Sequence, residues 1–429
     1  MSDSQSTFAR VLAIASLIIA AEAIFTLPYH VARFFRPTLL LALGIDNTQL
    51  GLVQSAYGIV AMLAYFPGGP LADRFSARRL LTASLVTTAA GGLYFATLPP
   101  VEGLWVLFAF WGLTTILLFW AALIRATREW GDPQRQGEAY GLLDAGRGLL
   151  AAAMAALAVA FFADFLPEDP ADLTNADRRA ALRSVIFFYS AVTLGAALLT
   201  WFFVKEVDDS RGLSERAAFP WARIRSVFRM RVVWLQALIV ICAYVGYKGI
   251  DYYALFAVDV YAMSEVEGAR LSAMTAWIRP VAAMGAGLLA DRIFSSRATG
   301  LLFALVAIGY GVPLVTEIGS ATMTVFFLNV VVTSVAVYGL RGVYFALLEE
   351  GAVPAVVTGT AVGLVSVLGY SPDVFFGVLA GWLIDSYPGA PGYRYFCFGM
   401  IGFAAVGIVA SLFFARAANS ALSNRGASA

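Results

Sequence analysis

The chain has 429 residues, of which 60% are hydrophobic and only 13% are charged. A soluble domain carries about 25% charged residues, so lipid must cover much of this chain's apolar surface. The formal net charge of +1 argues against a nucleic-acid-binding protein, which needs a basic face. The two cysteines, Cys242 and Cys397, lie in apolar runs and suggest neither a disulfide framework nor a metal site.

The apolar runs are long enough to cross a membrane, since a hydrocarbon layer of ~30 Å needs about 20 residues of helix. The first run has no cleavage site behind it, so we interpret it as a retained span. Runs of this length exclude barrel strands and predict an all-α integral membrane protein. The twelve predicted transmembrane helices lie at 8–34, 47–69, 80–98, 102–127, 137–163, 183–204, 231–258, 269–290, 299–315, 321–348, 358–384 and 394–415.

A polar connection at 205–230 divides the runs into six and six. It separates a predicted N-terminal bundle at 1–204 from a C-terminal bundle at 231–429. Lys and Arg concentrate on one set of connections, which by the positive-inside rule places both termini in the cytoplasm. The segment 164–183, which begins with acidic residues, would then lie outside. We expect a multi-pass protein of the cytoplasmic (inner) membrane.

Nearly the same dozen residues occur once in each half. GGPLADRFSARR runs from Gly68 to Arg79, and GAGLLADRIFSSR runs from Gly285 to Arg297. Each string lies at the predicted cytoplasmic end of the second helix of its half. We predict that Gly69 and Gly287 allow close helix packing. A positive-inside loop with a helix cap would explain the arginines, but it would not explain the repeated order G-x-L-A-D-R.

Ionisable and tyrosine side chains recur inside the spans at helical spacing, as expected of helix faces that line a polar cavity. An ionisable group at bilayer depth costs at least ~2.5–3.5 kcal/mol, so it normally faces such a cavity or a partner. The stripes comprise Glu22, Thr26, Tyr29, His30 and Arg33 in the first helix; Tyr140, Asp144 and Arg147 in the fifth; Tyr244, Lys248, Asp251 and Tyr252 in the seventh; Arg279 in the eighth; Tyr338 and Arg341 in the tenth; and Tyr370 and Asp373 in the eleventh.

Two interpretations of these charges stay open. The pairs Asp144–Arg147 and Lys248–Asp251, each at i,i+3, could neutralise one another and only hold helices in place. We favour the other interpretation, in which cations bind an anionic substrate and a carboxylate carries a proton, because a structural pair rarely compensates for its burial.

The candidates for these two roles come from the same stripes. The expected substrate-binding residues are Arg147, Lys248, Arg279, Tyr29, His30, Arg33, Tyr140, Tyr244, Tyr252 and Arg341. The proton-coupling candidates are Glu22, Asp144, Asp251 and Asp373. We prefer Glu22 among them because it has no basic residue at i±3 or i±4, whereas Asp144 and Asp251 each have one.

Two halves of six spans, a polar central loop and G-x-L-A-D-R after spans 2 and 8 resemble the major facilitator superfamily over almost the whole chain. The resemblance implies two pseudo-symmetric six-helix bundles that alternate access to one substrate site. Ser76 and Ala77 depart from the fuller motif, which usually has a Gly and a basic residue there. The implied conformational residues are Gly69, Asp73, Arg74, Arg78, Gly287, Asp291 and Arg292.

Two segments carry a finer resemblance. QGEAYGLLDAGRG, from Gln136 to Gly148, is similar to the helix-5 signature of the organophosphate:phosphate antiporters and related organic-anion transporters. GYKGIDYY, from Gly246 to Tyr253, is similar to their helix-7 segment. The resemblance implies a substrate contact at Arg147 and an organic anion as the substrate.

The predicted function is secondary active transport of a small organic anion, namely a carboxylate, phosphate ester or sulfonate, coupled to protons or to a counter-anion. We expect no cofactor, no metal, no nucleic acid and a monomeric chain in the lipid bilayer. The first alternative is an exporter of hydrophobic drugs or lipids, whose cavity would be mostly apolar. The second is a transporter-like membrane sensor, and an enzyme is disfavoured because no nucleophile constellation accompanies the single histidine.

Overall fold

The computed structural model describes residues 2–131, 136–167, 169–206, 221–316 and 322–426, and these residues contain helices but no strand. Most of the predicted central loop lies outside this part of the chain. Within that loop the structure describes Lys205, Glu206, a short helix at Trp221–Phe228 and the two residues that follow it. The predicted all-α architecture is confirmed for the described residues.

The long helices follow the predicted runs. Eleven of the described helices are long and apolar enough to cross a membrane. The third is not among them, because it begins with Arg78 and Arg79 and carries Ser, Thr and Gly in its interior, so the count of twelve spans stays a prediction. The helices are α1 Phe8–Phe34, α2 Asn47–Arg74, α3 Ala77–Phe95, α4 Val101–Trp130, α5 Ala139–Ala163, α6 Asn175–Phe203, α7 Arg231–Tyr261, α8 Glu265–Ile293, α9 Ser295–Val315, α10 Met323–Val343, α11 Val357–Ser386 and α12 Ala390–Ser420.

Several long helices contain irregular turns. In α1 a π-helical turn at Thr26–His30 includes Pro28, which lacks a backbone N–H and cannot continue the α-helical hydrogen bonds. A 3₁₀ turn at Ile250–Tyr252 interrupts α7, and α11 breaks between Gly369 and Pro372. These turns change the direction in which the following side chains point.

Two compact units make up the chain. Unit 1 comprises Met1–Ser214 and Ala262–Trp277, and unit 2 comprises Glu215–Tyr261 and Ile278–Ala429. The first half of α8 therefore packs with unit 1, whereas the sequence placed all of α8 in the C-terminal half. Its first residue explains the difference, because the Glu265 carboxylate accepts hydrogen bonds from Arg178 Nε at 2.7 Å and from the Thr38 hydroxyl.

Small and hydroxyl side chains let the helices of unit 1 approach closely. A Cβ on Gly112 of α4 would lie 2.6 Å from the Tyr57 carbonyl oxygen of α2. Between α3 and α4, Trp111 Nε1 donates to the Thr88 carbonyl at 3.1 Å, and the Thr88 and Thr114 hydroxyls are 2.7 Å apart. Such packing and interhelical hydrogen bonds replace the hydrophobic driving force that lipid does not provide.

Candidate functional site

The charged stripe of α1 meets α5 in unit 1. His30 Nε2 lies 3.3 Å from Glu22 Oε1, and Arg147 Nε lies 3.4 Å from Glu22 Oε2. Arg147 Nη1 is also 3.8 Å from Asp144 Oδ1. We call these four residues the Glu22 cluster. It brings together two proton-coupling candidates and two substrate-binding candidates.

The π-helical turn brings His30 onto the face of Glu22. A regular α-helix advances by about 100° per residue, so positions eight apart differ by about 80° around its axis. A π-helical turn accommodates one extra residue, so His30 takes the direction of a residue seven positions on, about 20° from that of Glu22. The stripe in the sequence left Tyr29 and His30 as alternatives, and the structure places His30 against the carboxylate.

Burial distinguishes the members of the Glu22 cluster. The Glu22 and Arg147 side chains are 4% and 16% exposed, whereas the Asp144 side chain is 73% exposed. The Arg147 guanidinium also lies 5.8 Å from the centroid of the Phe25 ring. The sequence showed no basic residue at i±3 or i±4 of Glu22, but the structure gives Glu22 two basic neighbours, Arg147 from α5 and His30 from the end of the π-helical turn.

A second group of charges lies in unit 2. Lys248 Nζ is 3.3 Å from Asp251 Oδ2 and 3.2 Å from Asp373 Oδ1, and the Tyr244 hydroxyl donates to Asp373 Oδ2 at 3.0 Å. We call these four residues the Lys248 cluster. The 3₁₀ turn of α7 carries Asp251, and the second segment of α11 carries Asp373 in its first turn. The cluster therefore joins α7 to α11 with one ammonium and two carboxylates.

Arg341 of α10 lies among tyrosines. Its guanidinium carbon is 4.0 Å from the centroid of the Tyr247 ring and 5.9 Å from that of the Tyr244 ring. Tyr370 packs edge-on against Tyr244 at 4.9 Å, and its hydroxyl is 3.4 Å from that of Tyr344. We call Arg341 and these four tyrosines the Arg341 cage.

The Arg341 cage lacks an anion among the described residues. No described carboxylate lies within 4.0 Å of the Arg341 guanidinium, and its buried Nη1 atom has no hydrogen-bond partner there. A guanidinium has five N–H donors and no acceptor, so only an acceptor can satisfy that atom.

The remaining predicted ligands contact other parts of the fold. Tyr140 donates its hydroxyl to the Ile124 carbonyl at 3.1 Å, and Tyr252 donates to the Gly377 carbonyl at 3.3 Å, as structural tyrosines do. The ring of Tyr29 packs edge-on against that of Tyr57 at 5.0 Å. The structure buries Arg33 in α1 and half-buries Arg279 in α8. Arg33 and Arg279 stay predictions as substrate ligands.

The repeated motif lies at helix ends, as predicted. Asp73 and Arg74 are exposed at the end of α2, and Asp291 and Arg292 are exposed at the end of α8. Arg78 forms an ion pair with Glu206 and lies 4.8 Å from the centroid of the Trp201 ring.

The predicted close packing at the motif glycines was wrong. A Cβ at Gly69 or Gly287 would meet no atom of the described residues within 4 Å, so neither glycine is at a close helix contact there. Gly68 is the glycine in contact, since its Cβ would lie 3.5 Å from the Ile116 and Leu117 carbonyl oxygens.

Sequence reasoning missed several residues of these sites. Glu206 lies just after α6, and it had been assigned only to a polar loop. Tyr247 lies one residue from Lys248, and the stripe of α7 did not include it. Glu265 begins α8, where an acidic residue would be expected merely as a helix-end charge. A search for acidic residues at the ends of neighbouring spans would have found Glu206 and Glu265.

Most of the chain matches the model of one protein family. The model of the Major Facilitator Superfamily matches residues 11–372. The chain belongs to the major facilitator superfamily. The transporter is 29% identical over 376 residues to the inner membrane protein YqcE of Escherichia coli, covering 86% of this chain and 85% of that one. It is 25% identical over 376 residues to the inner membrane protein YihN of the same organism, covering 86% of each chain.

Solved structures show the same fold. A bacterial homolog to the human lysosomal transporter Spinster aligns with a TM-score of 0.72 at 16% identity, covering 97% of this chain and 98% of that one. The nucleoside transporter NupG aligns with a TM-score of 0.66 at 13% identity, covering 95% and 98%. The predicted major facilitator fold is confirmed, and the protein is a membrane-embedded secondary transporter of a small molecule.

Proposed function

We propose that this transporter carries a small organic anion, namely a carboxylate, phosphate ester or sulfonate, and that Arg341 binds it in unit 2. The observation that carries the proposal is the buried Arg341 Nη1 atom, which has no hydrogen-bond partner among the described residues. The tyrosine faces at 4.0 and 5.9 Å stabilise the guanidinium without satisfying its N–H donors.

The energies favour an anion as the binding partner of Arg341. An arginine costs ~2.5–3.5 kcal/mol at the centre of a span, and Arg341, buried among tyrosines in the last turn of α10, bears part of that cost. Cation–π contacts recover about 0.5–2 kcal/mol, which leaves part of the cost uncompensated. Lys248 and Arg147 each have carboxylates nearby, whereas the described residues offer Arg341 none. A bound carboxylate or phosphate would match the planar fork of N–H donors and supply the counter-charge.

Arg147 is our second proposed anion ligand, in unit 1. Its side chain is 16% exposed, so a solute can reach it, and it shares Glu22 with His30. The Glu22–Arg147 separation of 3.4 Å is longer than a charge-assisted hydrogen bond of about 2.7–2.9 Å. A loose ion pair of this kind can exchange its partner for a substrate anion at lower cost than a tight one.

We propose that the Lys248 cluster couples transport to protons. With all groups ionised it holds one positive and two negative charges, and a single proton on either aspartate would make it neutral. Asp373 is the better carrier, because its side chain is 12% exposed whereas that of Asp251 is 4% exposed. The Tyr244 hydroxyl links Asp373 to the Arg341 cage through its ring contact, so proton and anion sites adjoin.

The proposal is tested by thermal unfolding of the purified transporter with a panel of carboxylates, sugar phosphates and sulfonates. A ligand that binds the folded state raises Tm. Arg341→Gln should abolish the shift produced by the best anion. Arg416→Gln is the matched control, since Arg416 is exposed in the same unit and also lies over a phenylalanine ring, at 5.8 Å.

Two results would overturn the proposal. The first is an anion shift that survives Arg341→Gln unchanged. The second is stabilisation by apolar amphiphiles with none of the anions active, which would favour the exporter of hydrophobic compounds.

A further inference from the structure

We propose that a groove between α5 and α8 in unit 1 binds one anionic phospholipid, with Arg270 at the headgroup phosphate and an acyl chain in the apolar part. This lipid would be a bound component of the transporter and not its transported substrate. The proposal does not rest on the identity of the transported anion.

The groove is built from small residues facing larger apolar ones. It has a volume of about 320 Å³, within the range of about 300–1,000 Å³ that is usual for small-molecule sites. Ala156 and Ala160 of α5 and Ala273 of α8 form its shallow surfaces. Met274 and Trp277, which are 44% and 47% exposed, form the apolar end.

Along α8 the groove extends over about two thirds of the depth of one leaflet. Arg270 lies five positions after the first residue of α8, a rise of about 7.5 Å, and Trp277 lies about 10 Å further along the helix. Half of a ~30 Å hydrocarbon layer is ~15 Å. The cation therefore lies near the membrane surface, and the apolar end lies near the middle of the bilayer, which matches the layout of a phospholipid.

The Arg270 charge is available to a ligand. Arg270 is exposed and forms no ion pair with a described carboxylate. The nearest acidic residues in sequence have other partners. Glu267 accepts from the Ser264 amide at 2.8 Å and from its hydroxyl at 2.9 Å, and Glu265 accepts from Arg178 and Thr38. Those bonds also fix the start of α8, and they therefore restrain the helix that carries Arg270.

Charge complementarity selects the occupant. A basic residue near an anionic lipid surface is worth about 1 kcal/mol, and each buried CH₂ of an acyl chain adds about 0.8 kcal/mol. A zwitterionic lipid would gain the free energy of acyl-chain burial but little of the electrostatic attraction to Arg270. We therefore expect phosphatidylglycerol to be preferred over phosphatidylcholine.

The test is native mass spectrometry of the full chain, purified with an equimolar mixture of the two lipids. We expect about fivefold more retained phosphatidylglycerol than phosphatidylcholine, the ratio that about 1 kcal/mol gives. Arg270→Gln should remove the preference. Arg394→Gln, at an exposed arginine near the start of α12, should keep it.

A second variant tests the groove itself. Ala160→Phe fills it with an aromatic ring, and because Ala160 is exposed the fold should tolerate the change. It should lose retained lipid while Arg270 stays in place. The proposal is overturned if Arg270→Gln keeps the wild-type preference, if Arg394→Gln loses as much, or if Ala160→Phe retains lipid as wild type does.

Discussion

Asp373→Asn should uncouple accumulation from exchange. The substitution keeps the shape of the side chain, and the Lys248–Asp251 pair at 3.3 Å remains to neutralise the buried ammonium. The Tyr244 hydroxyl can still donate to the amide oxygen that replaces Asp373 Oδ2. The variant should therefore fold and bind the anion. Its cluster is neutral without a proton, so no excess negative charge favours proton uptake.

The magnitude follows from the charges of the Lys248 cluster. One ammonium and two carboxylates leave a single excess negative charge, so our proposal implies one proton carried by the cluster in each transport cycle. One pH unit corresponds to about 1.36 kcal/mol per proton. A monoanion moved with one proton can therefore accumulate about tenfold per pH unit. The Asp373→Asn variant should reach a ratio of about one, because nothing then links uptake to the proton gradient.

The assay compares two measurements on proteoliposomes that contain the transporter. Uphill uptake is measured with an inward pH gradient of about one unit, and counterflow is measured with equal pH and unlabelled anion inside. Asp385→Asn, near the last residue of α11 and twelve positions after Asp373, is the matched control and should retain both activities. Full accumulation by Asp373→Asn would refute the reasoning, and so would a loss of counterflow equal to the loss of uptake.

Three further predictions concern folding and cycling. Glu22→Gln removes the buried carboxylate beside Arg147 and leaves it only the more distant, exposed Asp144. It should lower the free energy of unfolding, by up to about 3–5 kcal/mol, seen as a lower Tm, while the folded fraction still accumulates anion. Loss of accumulation at normal stability would return the proton role to Glu22. Gly112→Ala should lower the free energy of unfolding by about 1–3 kcal/mol through overpacking, whereas the control Gly69→Ala, where a Cβ meets no described atom within 4 Å, should not lower Tm. Asp73→Asn should slow counterflow and leave the Kd for the anion unchanged, because Asp73 is exposed at a helix end; a weaker Kd with normal counterflow would contradict this.

The fold could be predicted from the sequence because the lipid bilayer allows few kinds of spanning structure. Every span must satisfy its backbone hydrogen bonds internally, so long apolar runs mark helices without further information. The charged stripes were readable for the same reason, since a buried charge needs a partner or a cavity on one face of its helix. Both rules act within one helix, where the number of residues between two side chains determines how they lie relative to each other.

The pairing of charges between helices could not be predicted from the sequence. Lys248 and Asp251 share a helix and were paired from their spacing, whereas Asp373 comes from a different helix and was not linked to them. For Glu22 the sequence showed only that its own helix has no basic residue at i±3 or i±4. Its partner Arg147 lies on α5, and His30 reaches it through a π-helical turn that the proline signals but does not position.

The assignment of the first half of α8 to unit 1 was also not predictable, because it depends on contacts between helices. Its first half packs with unit 1 through Glu265, a contact with Arg178 that no local pattern could reveal. Long-range contacts of this kind depend on which helix ends meet in three dimensions. Hydrophobic periodicity specifies only which face of each helix is buried.

The most direct test of the anion site is a double cycle that removes charge from either side of the proposed contact. The Kd is measured by titration calorimetry for the best anion and for its uncharged amide analogue, each with the parent transporter and with Arg341→Gln. If Arg341 binds the anionic group, each single change should weaken binding by at least about tenfold, or about 1.4 kcal/mol. The double change should then cost little more than either single one, which is a coupling of that size between the two charges. Independent losses that simply add would contradict the account, because they would show that Arg341 and the anionic group act at separate places.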